Sequence, residues 1–213
     1  MKYIIMCGGT YSKWEKPKHL TEVKGEAIVE RTIRLLRENG IEDIAISSNN
    51  PVFDQFGVPV LRHANPYYLP IGCDASTPWL DAFYPMNKPV CYIFGDVVFS
   101  PGAIKTIVET ETNDIEFFAS AKPLSFNYPK RWAEPFAFKV VDTTAFFNAI
   151  EKTKALDEQG KFKRQPVSWE LWQVIKGTEL NKVIYGNYTV INDYTCDIDD
   201  PKDIEFYERL VLS

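Results

Sequence analysis

The chain has 213 residues, enough for one well-buried domain or at most two small ones. Hydrophobic residues at 45% and charged ones at 25% exclude a disordered chain, and a formal net charge of −5 lacks the basic field of a general nucleic-acid binder. No apolar run reaches the roughly 18–20 residues of a membrane-spanning helix.

The four cysteines, Cys7, Cys73, Cys91 and Cys196, are scattered without a C-x-x-C pair. They predict reduced or buried thiols rather than a disulfide framework or zinc site. Two histidines, His19 and His63, exclude a His-rich metal site. The apolar run at the start is too short for the core of a signal peptide, so the expected compartment is the cytoplasm.

In chain order, "KYIIM" (2–6) is an apolar run ended by glycines and predicts a buried strand. Beyond Glu26 the period changes: Ile28, Val29, Thr32, Ile33 and Leu36 share one helical face, with Glu30 and Arg34 one turn apart on the other. "ENG" (38–40) supplies a glycine for a left-handed helix stop, and "IEDIAIS" (41–47) predicts a second strand. Strand, helix and strand make a βαβ unit with a right-handed crossover and a parallel sheet.

"VPVLR" (58–62) predicts a short strand, and a helix is expected to start near Ser76 in "STPWLDAFY". "VCYIF" (90–94) is the most apolar strand and runs into Gly95-Asp96. A capped helix follows at 100–109, with strands at 115–121 and 135–141. "TTAFFNAIEKT" and "SWELWQVIK" predict helices, and "DPKDIEFYERLVL" a final one with Asp200 at its N-cap and Pro201 at its first position. No internal repeat, low-complexity segment or linker appears. One α/β domain spanning 1–213 is expected, with about 122–188 as an elaboration on the acceptor side.

Ligands of open parallel sheets sit beyond the carboxyl ends of the strands. There "CGGTYSKWEKPKHL" combines Gly8 and Gly9, which let backbone N–H groups approach a phosphate, with Lys13, Lys16 and Lys18. A tight turn with solvated lysines is the alternative reading of that loop. Neither G-x-G-x-x-G nor G-x-x-x-x-G-K-[ST] occurs, which disfavours dinucleotide and P-loop binding.

"GGTYSKWEKPKHLTEVKGEAIVERTIRLLRENGIEDIAI" resembles the opening of the nucleotidyltransferases that activate sugars and other phosphorylated metabolites. Gly8 and Gly9 match the first glycines of their loop; Pro17, Lys18 and Leu20 match P-K-x-L; Val23 and Gly25 match V-x-G. The short loop is similar to those of cytidylyltransferases, of choline-phosphate type in particular, and of molybdopterin guanylyltransferases. Tyr11 stands where that family has a small residue and Lys13 where it has arginine, which forfeits a bidentate grip on phosphate oxygens.

The resemblance implies a Rossmann-like three-layer α/β sandwich with a mostly parallel sheet, of the nucleotide-diphospho-sugar transferase type. It implies nucleotide contacts from Cys7, Gly8, Gly9, Thr10, Tyr11, Ser12, Lys18 and Ser76, and catalysis by Lys18, Lys13 and Asp96. Asp96 falls at the position of a magnesium ligand, which one or both of Asp197 and Asp199 would complete. These two lie two residues apart and face the same way in an extended segment. An anionic acceptor needs cations, for which Lys122, Lys130 and Arg131 are candidates, with Lys161, Lys163 and Arg164 in reserve. Trp169 and Trp172 read as core rather than as a cage for a quaternary ammonium.

The expected activity is magnesium-dependent transfer of a nucleotide, CTP by resemblance, to a phosphorylated or phosphonate small metabolite with release of pyrophosphate. Expected partners are the nucleoside triphosphate and the acceptor, with no nucleic acid and no membrane; whether the chain forms a homodimer stays open. Two other readings remain: a nucleotide binder that has lost catalysis, and a glycosyltransferase of related fold. The latter would carry D-x-D after the central strand, where this chain has Asp96-Val97-Val98.

Overall fold

The computed structural model describes residues 1–8, 14, 16–63, 79–122 and 133–212. β1 (Lys2–Met6) leads through a single helical turn at Lys18–Leu20 to the hairpin β2 (Glu22–Val23) and β3 (Glu26–Ala27), then to α1 (Ile28–Glu38). β4 (Ile44–Ser47), β5 (Val60–Leu61), β6 (Val90–Phe94), β7 (Val97–Val98) and α2 (Pro101–Glu109) follow. β8 (Ile115–Ser120), β9 (Pro135–Val140), α3 (Thr143–Glu158), α4 (Ser168–Lys176), β10 (Thr189–Ile191), β11 (Cys196–Asp197) and α5 (Pro201–Leu212) complete the chain.

Among the described residues, seven strands form the central sheet in the order β10-β8-β9-β6-β1-β4-β5. All run parallel except β9, which pairs antiparallel with both β6 and β8. The fold is α/β and Rossmann-like, as the sequence led us to expect. β9 comes from the span read as an elaboration on the acceptor side; it lies between β8 and β6, and its amino end shares an edge with the carboxyl ends of its neighbours.

The chain moves from β1 to β4 on one side, while β6 lies on the other side of β1. The strand order therefore reverses between β1 and β6, and a crevice opens beyond their carboxyl ends.

Side chains explain the element boundaries. α1 buries Ile28, Val29, Thr32, Ile33, Leu35 and Leu36 and ends where Gly40 adopts φ +78° and Ile41 N–H reaches back to Leu36 O at 3.1 Å. On the polar face the Arg34 guanidinium grips Glu26, at 2.7 and 2.8 Å, and Glu38 at 2.7 Å. A planar fork is satisfied better by two flanking carboxylates, one of them bidentate, than by a single point contact. Ser100 caps α2 by accepting from Ala103 N–H at 2.8 Å. The expected helix near Ser76 is, among the described residues, one 3-10 turn at Trp79–Ala82.

The core covers the strands with aromatic rings. Phe83 meets Tyr92, Phe138 and Phe146 edge-on at 5.1–5.8 Å, and Phe117 stacks on Phe138 at 4.5 Å. Trp169 and Trp172 belong to this core, as expected from their spacing. Each such ring contributes about 1.5–3 kcal/mol by leaving water. Cys7, Cys91 and Cys196 are buried. Among the described residues no helix is long and apolar enough to cross a membrane.

Candidate active site

The crevice between the ends of β1 and β6 is a cavity of about 310 Å³ lined by Gly8, Lys18, His19, Trp79, Asp96, Asp197 and Asp199 among others. β1 delivers Cys7 and Gly8, and the turn of "PKHL" delivers Lys18 and His19. Two hydrogen bonds close that turn, Leu20 N–H to Pro17 O at 2.9 Å and Thr21 N–H to Lys18 O at 3.0 Å. β6 delivers Asp96 through Gly95, whose N–H donates to Met6 O at 3.0 Å. A Cβ on Gly95 would overlap that same carbonyl oxygen and lie 2.8 Å from Cys7 Sγ and 2.9 Å from His19 Cδ2. Glycine is required there by close approach of the backbone.

Asp197 and Asp199 reach the crevice by long-range pairing. β11 pairs antiparallel with β7, with Asp197 opposite Val97, and Ile198 N–H donates to Asp96 O at 2.9 Å. This register brings the alternating carboxylates of the late segment to the end of β6. Asp199 N–H and Asp200 N–H both donate to Asp203 of α5, at 2.9 and 2.8 Å, which anchors the segment from its other side.

Lys18 Nζ lies 2.6 Å from Asp96 Oδ2 and 3.6 Å from Asp199 Oδ1. Burial would lower the Lys18 pKa, but Asp96 outweighs it, helped by Asp199 and Asp197, and holds the ammonium above the ordinary lysine value. Burial would likewise raise Asp96, yet the Lys18 charge keeps its carboxyl below the ordinary aspartate value. His19 packs edge-on against Phe53 at 5.8 Å, and burial drops its pKa to about 4, so it is neutral at pH 7.

Glu134, just before β9, was not singled out from the sequence and is fully enclosed beside Asp197. Ser120 N–H donates to Glu134 O at 2.8 Å and Glu134 N–H donates to Ser120 Oγ at 2.8 Å, which fixes it to the end of β8. Its carboxylate accepts from Asp197 N–H at 3.1 Å. Burial, then Glu134, then Asp199 and Asp96, push the Asp197 carboxyl well above the ordinary range. No local pattern marks a glutamate between Ala133 and Pro135 as part of a site; only the antiparallel insertion of β9 turns it inward.

Among the described residues, no three carboxylate, imidazole or thiol groups form a ready-made metal cage. The donor set still fits magnesium, which takes one or two carboxylates and completes its shell with phosphate oxygens and water. Asp96 and Asp199 already share one cation, the Lys18 ammonium.

The structure therefore brings together Gly8, Lys18, Asp96, Asp197 and Asp199, while Cys7 is buried beneath them beside Gly95 and does not line the crevice. Lys122 is exposed just past β8 and does not line the crevice; Lys161 and Lys163 are exposed. Gly9, Thr10, Tyr11, Ser12, Lys13, Ser76, Lys130 and Arg131 lie outside the described residues.

Comparison with known proteins agrees with this fold. The chain is similar over 99–100% of its length to three solved cytidylyl-transfer enzymes. One is the inositol-1-phosphate CTP transferase from T. maritima, at 16% identity and TM-score 0.57, with 99% of this chain and 94% of that one covered. Another is the CTP:phosphocholine cytidylyltransferase from Streptococcus pneumoniae, at 18% identity and TM-score 0.53, covering 100% and 99%. The third is the 2-C-methyl-D-erythritol 4-phosphate cytidylyltransferase from Thermus thermophilus, at 12% identity and TM-score 0.52, covering 100% of this chain and 98% of that one. At these identities the likeness is one of fold. No curated protein matches the sequence closely. The profile of the MobA-like NTP transferase domain matches residues 3–156, most of the chain and the part that carries Gly8, Lys18 and Asp96, and the protein belongs to that nucleotidyltransferase family.

Proposed function

We propose that the chain, acting as one domain, transfers a nucleotide from a nucleoside triphosphate to the phosphate or phosphonate oxygen of a small metabolite, with CTP as donor and magnesium as the required ion. The observation that carries this reading is the convergence of Lys18, Asp96 and Asp199 on the crevice beside Gly8 at the reversal of strand order. CTP is favoured by the resemblance of the opening loop to cytidylyltransferases, and by the CTP named for two structures of similar fold.

The acceptor oxygen attacks the α-phosphorus in line, the bond to the bridging oxygen breaks, and pyrophosphate leaves. Little acid–base chemistry is required, because the acceptor phosphate is already ionised; positioning and charge stabilisation supply most of the rate. Gly8 and the residues after it, Gly9, Thr10, Tyr11 and Ser12, would hold the triphosphate through backbone N–H groups, with Cys7, whose own N–H donates to Ser47 O at 2.9 Å, fixing the root of the segment to the sheet, and Ser76 would meet the base. Lys18, together with Lys13, would stabilise charge on the α-phosphoryl group and the departing pyrophosphate. Magnesium, when bound, neutralises phosphate oxygens and lowers the cost of bringing two anions together. Asp96 and Asp199 would hold it, with Asp197 behind them, while Lys122, Lys130 and Arg131 would supply positive charge to the acceptor side.

The test is incubation with each of the four nucleoside triphosphates, magnesium and a panel of sugar and amino-alcohol phosphates, followed by pyrophosphate release. Release that requires both acceptor and magnesium, and is fastest with CTP, is expected. No release with any combination overturns the transferase reading, and a faster rate with another triphosphate overturns the choice of CTP.

A further inference from the structure

The 3-10 turn Trp79–Ala82 is a thin partition between two hollows. Trp79 and Ala82 line the crevice, whereas Leu80 and Asp81 line a separate cavity of about 300 Å³ on the turn's far side. The Trp79 ring meets Phe83 edge-on at 5.1 Å and Phe94 at 5.4 Å, so its place in the crevice follows from that of the turn. A single 3-10 turn has poor hydrogen-bond geometry and does not hold itself. Leu80 and Phe83 bury its apolar side. Its polar side is held by charge: among the described residues Asp81 has one ion-pair partner, Lys154 of α3, with Nζ 2.7 Å from Oδ1. Only 14% of the Asp81 side chain and 32% of the Lys154 side chain are exposed. Glu151, one turn earlier on α3, accepts from the same ammonium at 2.9 Å and keeps it oriented.

We propose that Lys154 and Asp81 are positioning residues for the transfer reaction: their ion pair, on the far side of the turn, sets where Trp79 stands in the crevice. This rests on the transferase reading above and adds a control on substrate fit from outside the crevice. A carboxylate this enclosed is costly to leave unpaired. Without the ammonium, Asp81 gains by turning toward water, and so short a turn moves as a unit. Trp79, two positions before Asp81, moves with it. Lys18, Asp96 and Asp199 sit on other elements, the turn after β1, the end of β6 and the segment after β11, and do not depend on the pair. Loss of the pair therefore alters how substrates fit rather than how the transferred phosphoryl group is stabilised.

Two readouts test the pair, one of them without substrate. In a proton–nitrogen correlation spectrum the Trp79 indole N–H peak is identified by its loss in Trp79→Phe. Lys154→Met should shift that peak, and Lys154→Arg, which keeps the charge, should restore it. Asp81→Asn should shift it too, and adding Lys154→Met to Asp81→Asn should move it no further, because the two groups act through each other. An unmoved peak, or shifts of the two single variants that simply add, overturns the proposal. The second readout is pyrophosphate release with the triphosphate and acceptor that the wild type turns over fastest. Lys154→Met should raise KM for at least one of the two substrates by about threefold or more, with kcat within about twofold of wild type. Lys154→Arg should bring KM back. A fall in kcat at unchanged KM, or no change in either, overturns the proposal and leaves the transferase reading intact. If the wild type releases no pyrophosphate with any acceptor, the transferase reading fails, and the indole peak alone decides whether the pair places Trp79.

Discussion

Lys18 and Asp96 form an ion pair of 2.6 Å that ties the turn after β1 to the end of β6. Each holds the other charged, and the pair sits where strand order reverses, so the same two groups can meet a triphosphate and its metal ion. Asp96→Asn preserves shape and removes the negative charge. Turnover should fall by about 10²-fold or more, within the range for loss of one group that stabilises transition-state charge. Circular dichroism should remain that of the native protein, and a rate within about threefold of wild type would remove Asp96 from the site.

Lys18→Met should lower kcat to a similar degree while leaving Asp96 and Asp199 to repel one another. The consequence is a measurable rise in magnesium-dependent stabilisation: the melting temperature of the variant should increase more on adding magnesium than that of wild type. An unchanged response would mean that the ammonium and the ion do not share these carboxylates.

His63 is buried between Ser47 and Tyr84, and burial drops its pKa to about 4. An ordinary histidine near 6.5 takes up a proton in the unfolded chain first, so its contribution to stability is present above pH 6.5 and is lost as pH falls toward 4. His19 acts in the same sense and over the same window. Asp197, whose folded pKa is raised, acts in the opposite sense and partly masks the histidines. The difference between variants isolates one group. In urea titrations between about pH 6.5 and 4, His63→Gln should show a pH slope shallower than wild type by up to ~1.4 kcal/mol per pH unit. Parallel curves would show that His63 titrates normally in the folded state.

Gly95→Ala places a methyl group against Met6 O, Cys7 Sγ and His19 Cδ2. Two of these belong to the β1 backbone and a buried thiol with no room to retreat. The expected loss of stability is about 1–3 kcal/mol by denaturant titration. Activity should fall too, because relief of the overlap moves Asp96 away from Lys18.

Lys139 is a buried lysine with a structural task away from the crevice. Its ammonium donates to Val108 O at 3.0 Å and Thr110 O at 2.7 Å, closing the end of α2, and burial lowers its pKa. Lys139→Met should destabilise the protein by about 1–3 kcal/mol, since two carbonyls lose a charged donor. Nucleotide transfer measured below the new melting temperature should be unaffected.

Much of the fold was legible locally. The apolar runs at β1 and β6, the helical period of α1, the glycine at position 40 and the Asp-Pro start of α5 each determine their element through contacts within a few residues. The loop glycine Gly8, Lys18 within P-K-x-L and the aspartate after the most apolar strand were legible for the same reason: residue type and spacing carry the chemistry. Strand pairing across the chain was not. The short β7 and β11 have no apolar run long enough to be noticed, and the antiparallel placement of β9 depends on which neighbours it finds.

By itself, then, the sequence determined an alternating α/β order, the core role of Trp169 and Trp172 and the place of Gly8 and Lys18 after the first strand, because these depend on periodicity and spacing along a few turns of chain. Only the tertiary structure decided which carboxylates meet. The register of β11 on β7 carries Asp197 and Asp199 to Asp96 and Lys18, and the insertion of β9 sets Glu134 against Asp197 beside a wall of aromatic rings. Such meetings are fixed by hydrogen-bond register between strands far apart in the chain, a quantity that no short stretch of residues contains.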